Sequence, residues 1–226
     1  MSQSPFIMSP VPYTLPADSG VNAELYNSGY TYPEYIDLTD RLLAQGKTTG
    51  PNQSEAMVEY TKLNRQRIAR LNKTPELRPE LVEAVQQLPE GACWLVIAEP
   101  WCGDVAQNLP HIYRLSQENA GLEVRILLRD EHPELMERYL TDAGKAIPIV
   151  VALNPDYSVQ SIWGPRPLPA QELVREWKAT PEAERPPYPQ LAEKLHGWYA
   201  KDRTQTLQDE LLVWLESQKK AQAHIA

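Results

Sequence analysis

The sequence is short of cysteine, of phenylalanine and of long apolar runs. It has two cysteines and one phenylalanine among 226 residues, against 21 prolines, which indicate a chain broken into many segments. No run approaches the roughly 18 apolar residues that a membrane span needs, so no membrane partner is expected. The first twenty residues contain no Lys or Arg and no sustained apolar stretch, which excludes a typical secretory signal there and predicts a cytoplasmic protein.

The sequence has fewer basic than acidic residues, and this difference indicates which partners the protein is expected to bind. The chain has 22 Lys and Arg against 30 Asp and Glu, a formal net charge of −8. Such a balance repels phosphate backbones, so nucleic acid is not an expected partner. The four histidines are scattered, without a Cys-x-x-Cys or His-pair spacing, and no Gly-rich phosphate loop or Gly-x-Ser-x-Gly motif occurs. We therefore expect no metal and no cofactor.

The most informative stretch runs from an apolar segment at 94–98 into a cysteine. The segment is too short and too unbroken for an amphipathic helix, which predicts a strand buried on both faces. Gly103 allows a tight turn after Cys102, and a helix is predicted from Asp104 through Ser116. A cysteine at a helix start lies near unpaired backbone N–H groups, so Cys102 is expected to titrate below the ~8.5 of a free thiol.

The other cysteine, Cys93, begins the same strand and is interpreted as inert. If the strand is extended at ~3.3 Å per residue, the two α-carbons lie about 20 Å apart, beyond the ~7 Å limit for a disulfide. Cys93 and Cys102 therefore cannot bridge each other.

The elements that follow predict an α/β core. Strands are predicted at 122–128, 147–153 and 158–163, and helices at 78–88, 133–140 and 168–178. A strand, helix, strand succession of this length implies a parallel pair with a right-handed crossover. The last two strands are joined by a turn at 154–156, which predicts a hairpin.

Helical segments flank this core. Residues 1–32, with four prolines among small and polar residues, are predicted to form an irregular arm, and 33–45 a helix. A second helix is predicted to follow the capping-box spacing of Asn52 and Glu55. Its basic end is interpreted as cations favoured near a helix C-terminus. The cations are Lys62, Arg65, Arg67, Arg70 and Lys73.

Beyond a proline-rich linker, two amphipathic helices are predicted within 181–226, and each must bury its apolar face. They either dock on the domain itself or serve dimerisation or partner capture.

Three features in register resemble the thioredoxin family. They are Trp101-Cys102-Gly103, a proline eight residues after the cysteine at Pro110, and Ile147-Pro148 before an apolar strand. The chain also looks like a bacterial branch of thioredoxin-like proteins with a Trp-Cys-Gly-Asp motif and helical extensions. The resemblance implies a thioredoxin-like α/β fold, with a central mixed sheet flanked by helices and extensions at both ends. It also implies a cis bond before Pro148.

On this basis we divide the chain into an irregular arm at 1–32, a helical extension at 33–75, a thioredoxin-like domain at 76–180 and a C-terminal helical extension at 181–226.

Two departures from the family pattern affect function. Val105 occupies the position of the second, resolving cysteine, and Val96 that of a buried acid. Dithiol chemistry is therefore not expected.

The resemblance also implies the site residues. Cys102 is the expected nucleophile, although a buried, inert cysteine is the alternative. The remaining residues are expected to bind substrate, and Arg166 either holds a carboxylate or is a solvated loop residue. The substrate-binding set is Trp101, Gly103, Asp104, Ile147, Pro148, Gly164 and Arg166.

Two functions remain open at this point. In the first, the single cysteine exchanges with a protein disulfide or a low-molecular-weight thiol, and an external thiol resolves the mixed disulfide. In the second, the protein is a non-catalytic module that binds peptides in a groove of Trp101, Pro148 and Gly164.

Overall fold

A four-stranded mixed sheet forms the centre of the molecule in a computed structural model that describes residues 14–73 and 76–223, with side chains to 218. The strand order is β2-β1-β3-β4; β1 pairs parallel with β2 and antiparallel with β3, which is antiparallel to β4. The strands are β1 (Cys93–Ala98), β2 (Glu123–Leu128), β3 (Ile149–Leu153) and β4 (Val159–Trp163). The mixed sheet flanked by helices confirms the predicted α/β fold.

Helices cover the sheet and extend the domain at both ends. They are α1 (Ala23–Ser28), α2 (Tyr32–Ala44), α3 (Glu55–Leu71), α4 (Pro79–Gln86), α5 (Gly103–Ser116), α6 (Pro133–Met136), α7 (Leu168–Ala179), α8 (Tyr188–Asp202) and α9 (Gln205–Ala223). The helix predicted at 133–140 is shorter than expected. Among the described residues, none of the helices combines the length and apolar character that crossing a membrane requires.

The prediction of an irregular arm at 1–32 is wrong for its second half, while residues 1–13 lie outside the described residues. Helix α1 has Asn22 at its N-cap, whose side chain accepts a hydrogen bond from the Leu25 amide at 2.8 Å. Tyr26 is only 2% exposed, and Tyr30 forms a bridge with Ile126 of β2. Two tyrosines therefore attach this segment to the sheet, and that tertiary burial outweighs its weak local helix pattern.

The predicted capping box at the start of the second helix is also wrong. Helix α3 has Ser54 at its N-cap, and the Asn52 side chain accepts from the Ser54 amide at 3.1 Å instead of capping the helix. A complete capping box occurs one helix earlier, where Thr31 and Glu34 bond reciprocally at the start of α2. Asn52 thus forms a local turn, an alternative that Asn side chains commonly adopt.

The C-terminal helices dock on the domain itself, as the first of the two alternatives predicts. Leu191 and Leu195 of α8 pack in a cluster with Val174 of α7. In α9, Trp214 lies 4.8 Å from Trp94 of β1 between ring centroids. Their apolar faces are covered within one chain, and dimerisation through these helices stays an untested prediction.

Candidate functional site

Cys102 lies where the central strand meets helix α5. It is the N-cap residue of α5, in extended conformation, and the helix begins at Gly103. Its thiol donates to the backbone oxygen of Ile147 across 3.3 Å, and the Ile147–Pro148 peptide bond is cis. The end of β1 and the loop before β3 therefore meet at the sulfur.

The expectation that Cys102 has a lowered pKa is wrong. Burial first, and then the Asp104 carboxylate, raise the pKa of the Cys102 thiol to about 12. The Val105 amide and the Arg166 guanidinium act in the opposite direction but do not compensate. A helix start alone suggested a thiolate, whereas the removal of the sulfur from water dominates. The resting group at neutral pH is a thiol.

Asp104 and Arg166 form a buried ion pair beside the cysteine. The Arg166 Nε and Nη2 atoms lie 2.9 and 2.8 Å from Asp104 Oδ2, and the two side chains are 10% and 11% exposed. Arg166 Nη1 also donates to the Gln171 side chain. Arg166 is therefore not a solvated loop residue, because it pairs with a carboxylate of this chain, and its binding of a substrate carboxylate stays a prediction.

Helix α8 is bonded to the same carboxylate. The Tyr199 hydroxyl donates to Asp104 Oδ1 at 2.7 Å and accepts from Asn108 Nδ2 at 3.0 Å. Asp104 is thus held from two sides, by the loop after β4 and by the C-terminal extension. This arrangement fixes a negative charge next to Cys102.

A cavity of about 320 Å³ opens above the cysteine, a size typical of small-molecule sites. Its walls come from helices α3 and α8, from the turn after β1 and from the loops that follow β2 and precede β3. The lining residues are Met57, Tyr60, Asn64, Arg67, Trp101, Cys102, Gly103, Asp104, Arg129, Lys145, Ala146, Ile147, Arg166, Tyr188, Ala192, Leu195 and His196.

Of the predicted site residues, Trp101, Cys102, Gly103, Asp104, Ile147 and Arg166 line this cavity. Pro148 and Gly164 are not among its lining residues, but they lie next to each other. A Cβ atom at Gly164, where φ is +133°, would collide with the carbonyl oxygen of Pro148, so the glycine permits the close approach of two backbone segments. These two residues shape the site without lining it.

His196 of α8 is a site residue that the sequence did not single out. A Cβ atom built on Gly103 would lie 3.0 Å from His196 Cε1, so the absence of a side chain at Gly103 allows the imidazole to pack on the cysteine turn. Burial, and then the charge of Arg67, lower the pKa of His196. The imidazole is therefore neutral at neutral pH.

Arg67 of α3 was likewise missed as an individual residue. The sequence shows only a basic helix end, and nothing there distinguishes Arg67 from its neighbours. In the structure Arg67 is half-buried, lines the cavity and donates to Asn64 Oδ1 at 2.7 Å. Only the packing of α3 across the site gives it this position.

A buried acid does occur near the cysteine, although Val96 replaces the acid that the family pattern has. Glu99 is fully buried, and its carboxylate accepts from the Thr49 hydroxyl and, at 2.8 Å, from the Asp130 amide. Burial raises the pKa of Glu99 to about 7. Its hydrogen bonds join the segment before α3 to the end of β2, so we assign it a structural role.

The comparison with protein families agrees with the fold. A family profile described as Thioredoxin matches residues 50–178, which is more than half of the chain. No curated protein matches the sequence. A solved protein of unknown function from Pseudomonas aeruginosa is similar at 17% identity and a TM-score of 0.47, with 87% of this chain and 99% of that chain covered. An HIV epitope scaffold is similar at 15% identity and a TM-score of 0.46, with 87% and 100% covered. The family match, together with the cysteine turn and the mixed sheet, establishes that this chain belongs to the thioredoxin family.

Proposed function

We propose that the protein carries out thiol–disulfide exchange on small molecules, with Cys102 as its single reactive thiol. The observation that carries this proposal is the position of Cys102 on the wall of the 320 Å³ cavity, beside the backbone oxygen of Ile147. Helices α3 and α8 flank the cysteine, so the cavity suits a low-molecular-weight disulfide better than a folded protein.

The exchange balances in two steps. Once its proton has left, the Cys102 thiolate attacks one sulfur of a small disulfide, forms a mixed disulfide and releases the other half as a thiolate, which takes up a proton. A second small thiolate then attacks the mixed disulfide, releases Cys102 and leaves as a new small disulfide. Because Val105 stands where a resolving cysteine would be, the second thiol must come from outside the chain.

The resting thiol needs a proton acceptor before it can attack. Cys102 is protonated at neutral pH because its pKa is raised to about 12. His196 lines the same cavity, and its lowered pKa leaves the imidazole neutral and able to accept a proton. We assign His196 this role in the exchange.

The test uses Cys93→Ala protein, in which Cys102 is the only thiol, and the neutral disulfide 4,4′-dithiodipyridine. We expect stoichiometric release of pyridine-4-thione, formation of a mixed disulfide by mass spectrometry, and recovery of the thiol on addition of a small thiol. His196→Gln should slow the release at neutral pH and leave the high-pH rate close to that of the parent. Protein with Cys93→Ala and Cys102→Ser is the control, and absence of release from Cys93→Ala protein would contradict the proposal.

A second candidate function is binding without chemistry. The raised pKa of Cys102 favours it, because a protonated thiol is a poor nucleophile. The peptide groove first expected for this function has less support, since Pro148 and Gly164 are not among the residues that line the cavity. A binding protein would retain its ligand in the Cys102→Ser variant and would show no exchange in the preceding experiment.

A further inference from the structure

The cavity beside Cys102 is rich in cations. Four positively charged side chains line it, whereas the carboxylate of Asp104 is the one negative side chain among the lining residues; the cations are Arg67, Arg129, Lys145 and Arg166. The whole chain carries a net charge of −8, so this concentration of positive charge is opposite to the average of the protein. A local field of this sign attracts anions that the rest of the surface repels.

Three of the four cations already have carboxylate partners. Arg166 pairs with Asp104 at 2.8 Å and Lys145 with Glu137 at 2.6 Å. Arg129 pairs with the neighbouring Asp130 at 2.7 Å, and its guanidinium carbon lies 4.5 Å from the centre of the Trp101 ring. These charges are largely compensated within the chain.

Arg67 differs from the other three. Among the described residues, the only hydrogen-bond partner of its guanidinium is the neutral side chain of Asn64, and no described carboxylate pairs with it. Burial, and then the like charge of Arg70, lower the pKa of Arg67, which is the direction expected for an uncompensated cation.

Asn64 holds Arg67 in a defined orientation. It is 1% exposed, and its Nδ2 donates to the Pro100 carbonyl at 3.0 Å, next to Trp101, while its Oδ1 accepts from Arg67. The guanidinium is therefore anchored to the cysteine turn through one amide side chain. A preorganised donor loses little conformational entropy when it binds a ligand.

From this geometry we infer that Arg67 binds an acidic group of the small molecule that reaches Cys102, so the site takes thiols and disulfides that carry a carboxylate. The guanidinium presents a planar set of N–H donors that matches a carboxylate in two-point contact. The substrate class rests on the proposed exchange at Cys102, whereas binding of the anion by Arg67 does not.

Equilibrium binding tests the anion site without any chemistry. The protein is a Cys93→Ala, Cys102→Ser variant, and the probes are the dianionic 5,5′-dithiobis(2-nitrobenzoate) and the neutral 4,4′-dithiodipyridine, titrated by calorimetry. We expect Arg67→Gln to weaken binding of the dianion by about tenfold or more, the loss typical of one charge-assisted contact. Arg67→Lys should restore part of the loss, and binding of the neutral probe should not change.

Lys62→Gln is the matched control. Lys62 lies on the same helix, pairs with Glu59 on the surface and is absent from the cavity wall, yet its removal changes the net charge equally. The inference is overturned if Lys62→Gln weakens binding of the dianion as much as Arg67→Gln does, if both probes respond equally to Arg67→Gln, or if the dianion does not bind.

Reaction rates separate this inference from the proposed function. In Cys93→Ala protein, Arg67→Gln should lower the rate with the dianionic disulfide about tenfold relative to the neutral one. If Cys102 reacts with neither probe but Arg67-dependent binding persists, the exchange function fails and the anion site stands. If both probes react and Arg67→Gln changes neither rate, the exchange stands and the anion site is overturned.

Discussion

At the scale of the single residue, the Asp104 carboxylate, two positions after Cys102, helps to raise the pKa of the thiol. Asp104 is next to burial among the causes that raise the pKa of Cys102. Its carboxylate is held in place by Arg166 at 2.8 Å and by the Tyr199 hydroxyl at 2.7 Å. The Trp-Cys-Gly-Asp turn therefore places beside the proposed nucleophile a fixed charge that suppresses the ionisation of its thiol.

Asp104→Asn should make Cys102 easier to ionise. The substitution removes the repelling charge and leaves the charge of Arg166 uncompensated, and both changes favour the thiolate. We expect the midpoint of Cys102 alkylation against pH, in Cys93→Ala protein, to fall by about one pH unit or more. Asp156→Asn, at the turn between β3 and β4, is the control and should leave it unchanged. A midpoint that rises in Asp104→Asn protein would show that the carboxylate does not act through its charge.

Val105→Cys is expected to restore a dithiol. Val105 is fully buried in the first turn of α5, three residues after Cys102, and a cysteine is a small enough replacement to cost less than about 1.5 kcal/mol. In Cys93→Ala protein, mild oxidation of the Val105→Cys variant should remove both titratable thiols and lower the mass by two hydrogens. Protein that keeps Val105 should form only mixed disulfides, in which Cys102 is joined to a small thiol. Two thiols that survive oxidation would show that the helix start cannot close the bridge.

At the scale of the element, helix α8 has two roles. It forms one wall of the cavity through Tyr188, Ala192, Leu195 and His196, and it bonds to α5 through Tyr199. It lies beyond the segment at 50–178 that matches the family. The C-terminal extension is thus part of the site, and its docking determines whether the cavity exists.

Tyr199→Phe should weaken that docking. The hydroxyl is buried, donates to an ionised carboxylate and accepts from Asn108, so its loss leaves polar groups unsatisfied. We expect the free energy of unfolding in urea to fall by about 1–3 kcal/mol. Tyr188→Phe, at a ring that is 57% exposed, should change it by less than about 0.5 kcal/mol. Equal effects of the two substitutions would contradict a specific role for Tyr199.

At the scale of the whole molecule, two buried carboxyl groups connect distant parts of the chain. Glu99 joins Thr49 to the Asp130 amide, and Glu210 of α9 accepts from Trp163 Nε1 at 3.0 Å and from the Leu168 amide at 2.6 Å. Burial is the main cause that raises the pKa of each to about 7. Each carboxyl group therefore binds its proton more tightly in the folded protein than in the unfolded chain.

This shift makes stability depend on pH in a defined direction. A carboxyl whose folded pKa is raised stabilises the fold fully below its unfolded pKa, and this contribution is lost as pH rises through about 7. Glu99→Gln should therefore gain up to about 3 kcal/mol relative to wild type between pH 4.5 and 7. The amide fits the same contacts, since it can accept from Asp130 and donate to the Thr49 hydroxyl.

The measurement is the difference in unfolding free energy between Glu99→Gln and wild type across that range. A difference is needed because burial lowers the pKa of His111 to about 4, so the wild type also loses stability on acidification. The exposed Glu134→Gln is the control and should show no trend. A constant difference for Glu99→Gln across the range would refute the ionisation of Glu99 as the cause.

The sequence by itself determined the strand that precedes Cys102, the helix that starts after it and the fold class. These follow from local signals: an unbroken apolar run at 94–98, a glycine after Cys102 and the order of strands and helices. The spacing of Pro110 and Pro148 relative to Cys102 added the resemblance to the thioredoxin family. Each of these signals can be read from the order and spacing of residues along the chain, which is why they could be predicted.

Only the tertiary structure decided the chemistry of the site. The sequence indicated a lowered pKa for Cys102, but the pKa depends on how much water the packed domain removes from the sulfur. Arg67 and His196 come from helices about 130 residues apart in the chain, and nothing local marks either of them. They share a cavity because α3 and α8 both pack against the cysteine turn, and such long-range packing is not encoded in the spacing of nearby residues.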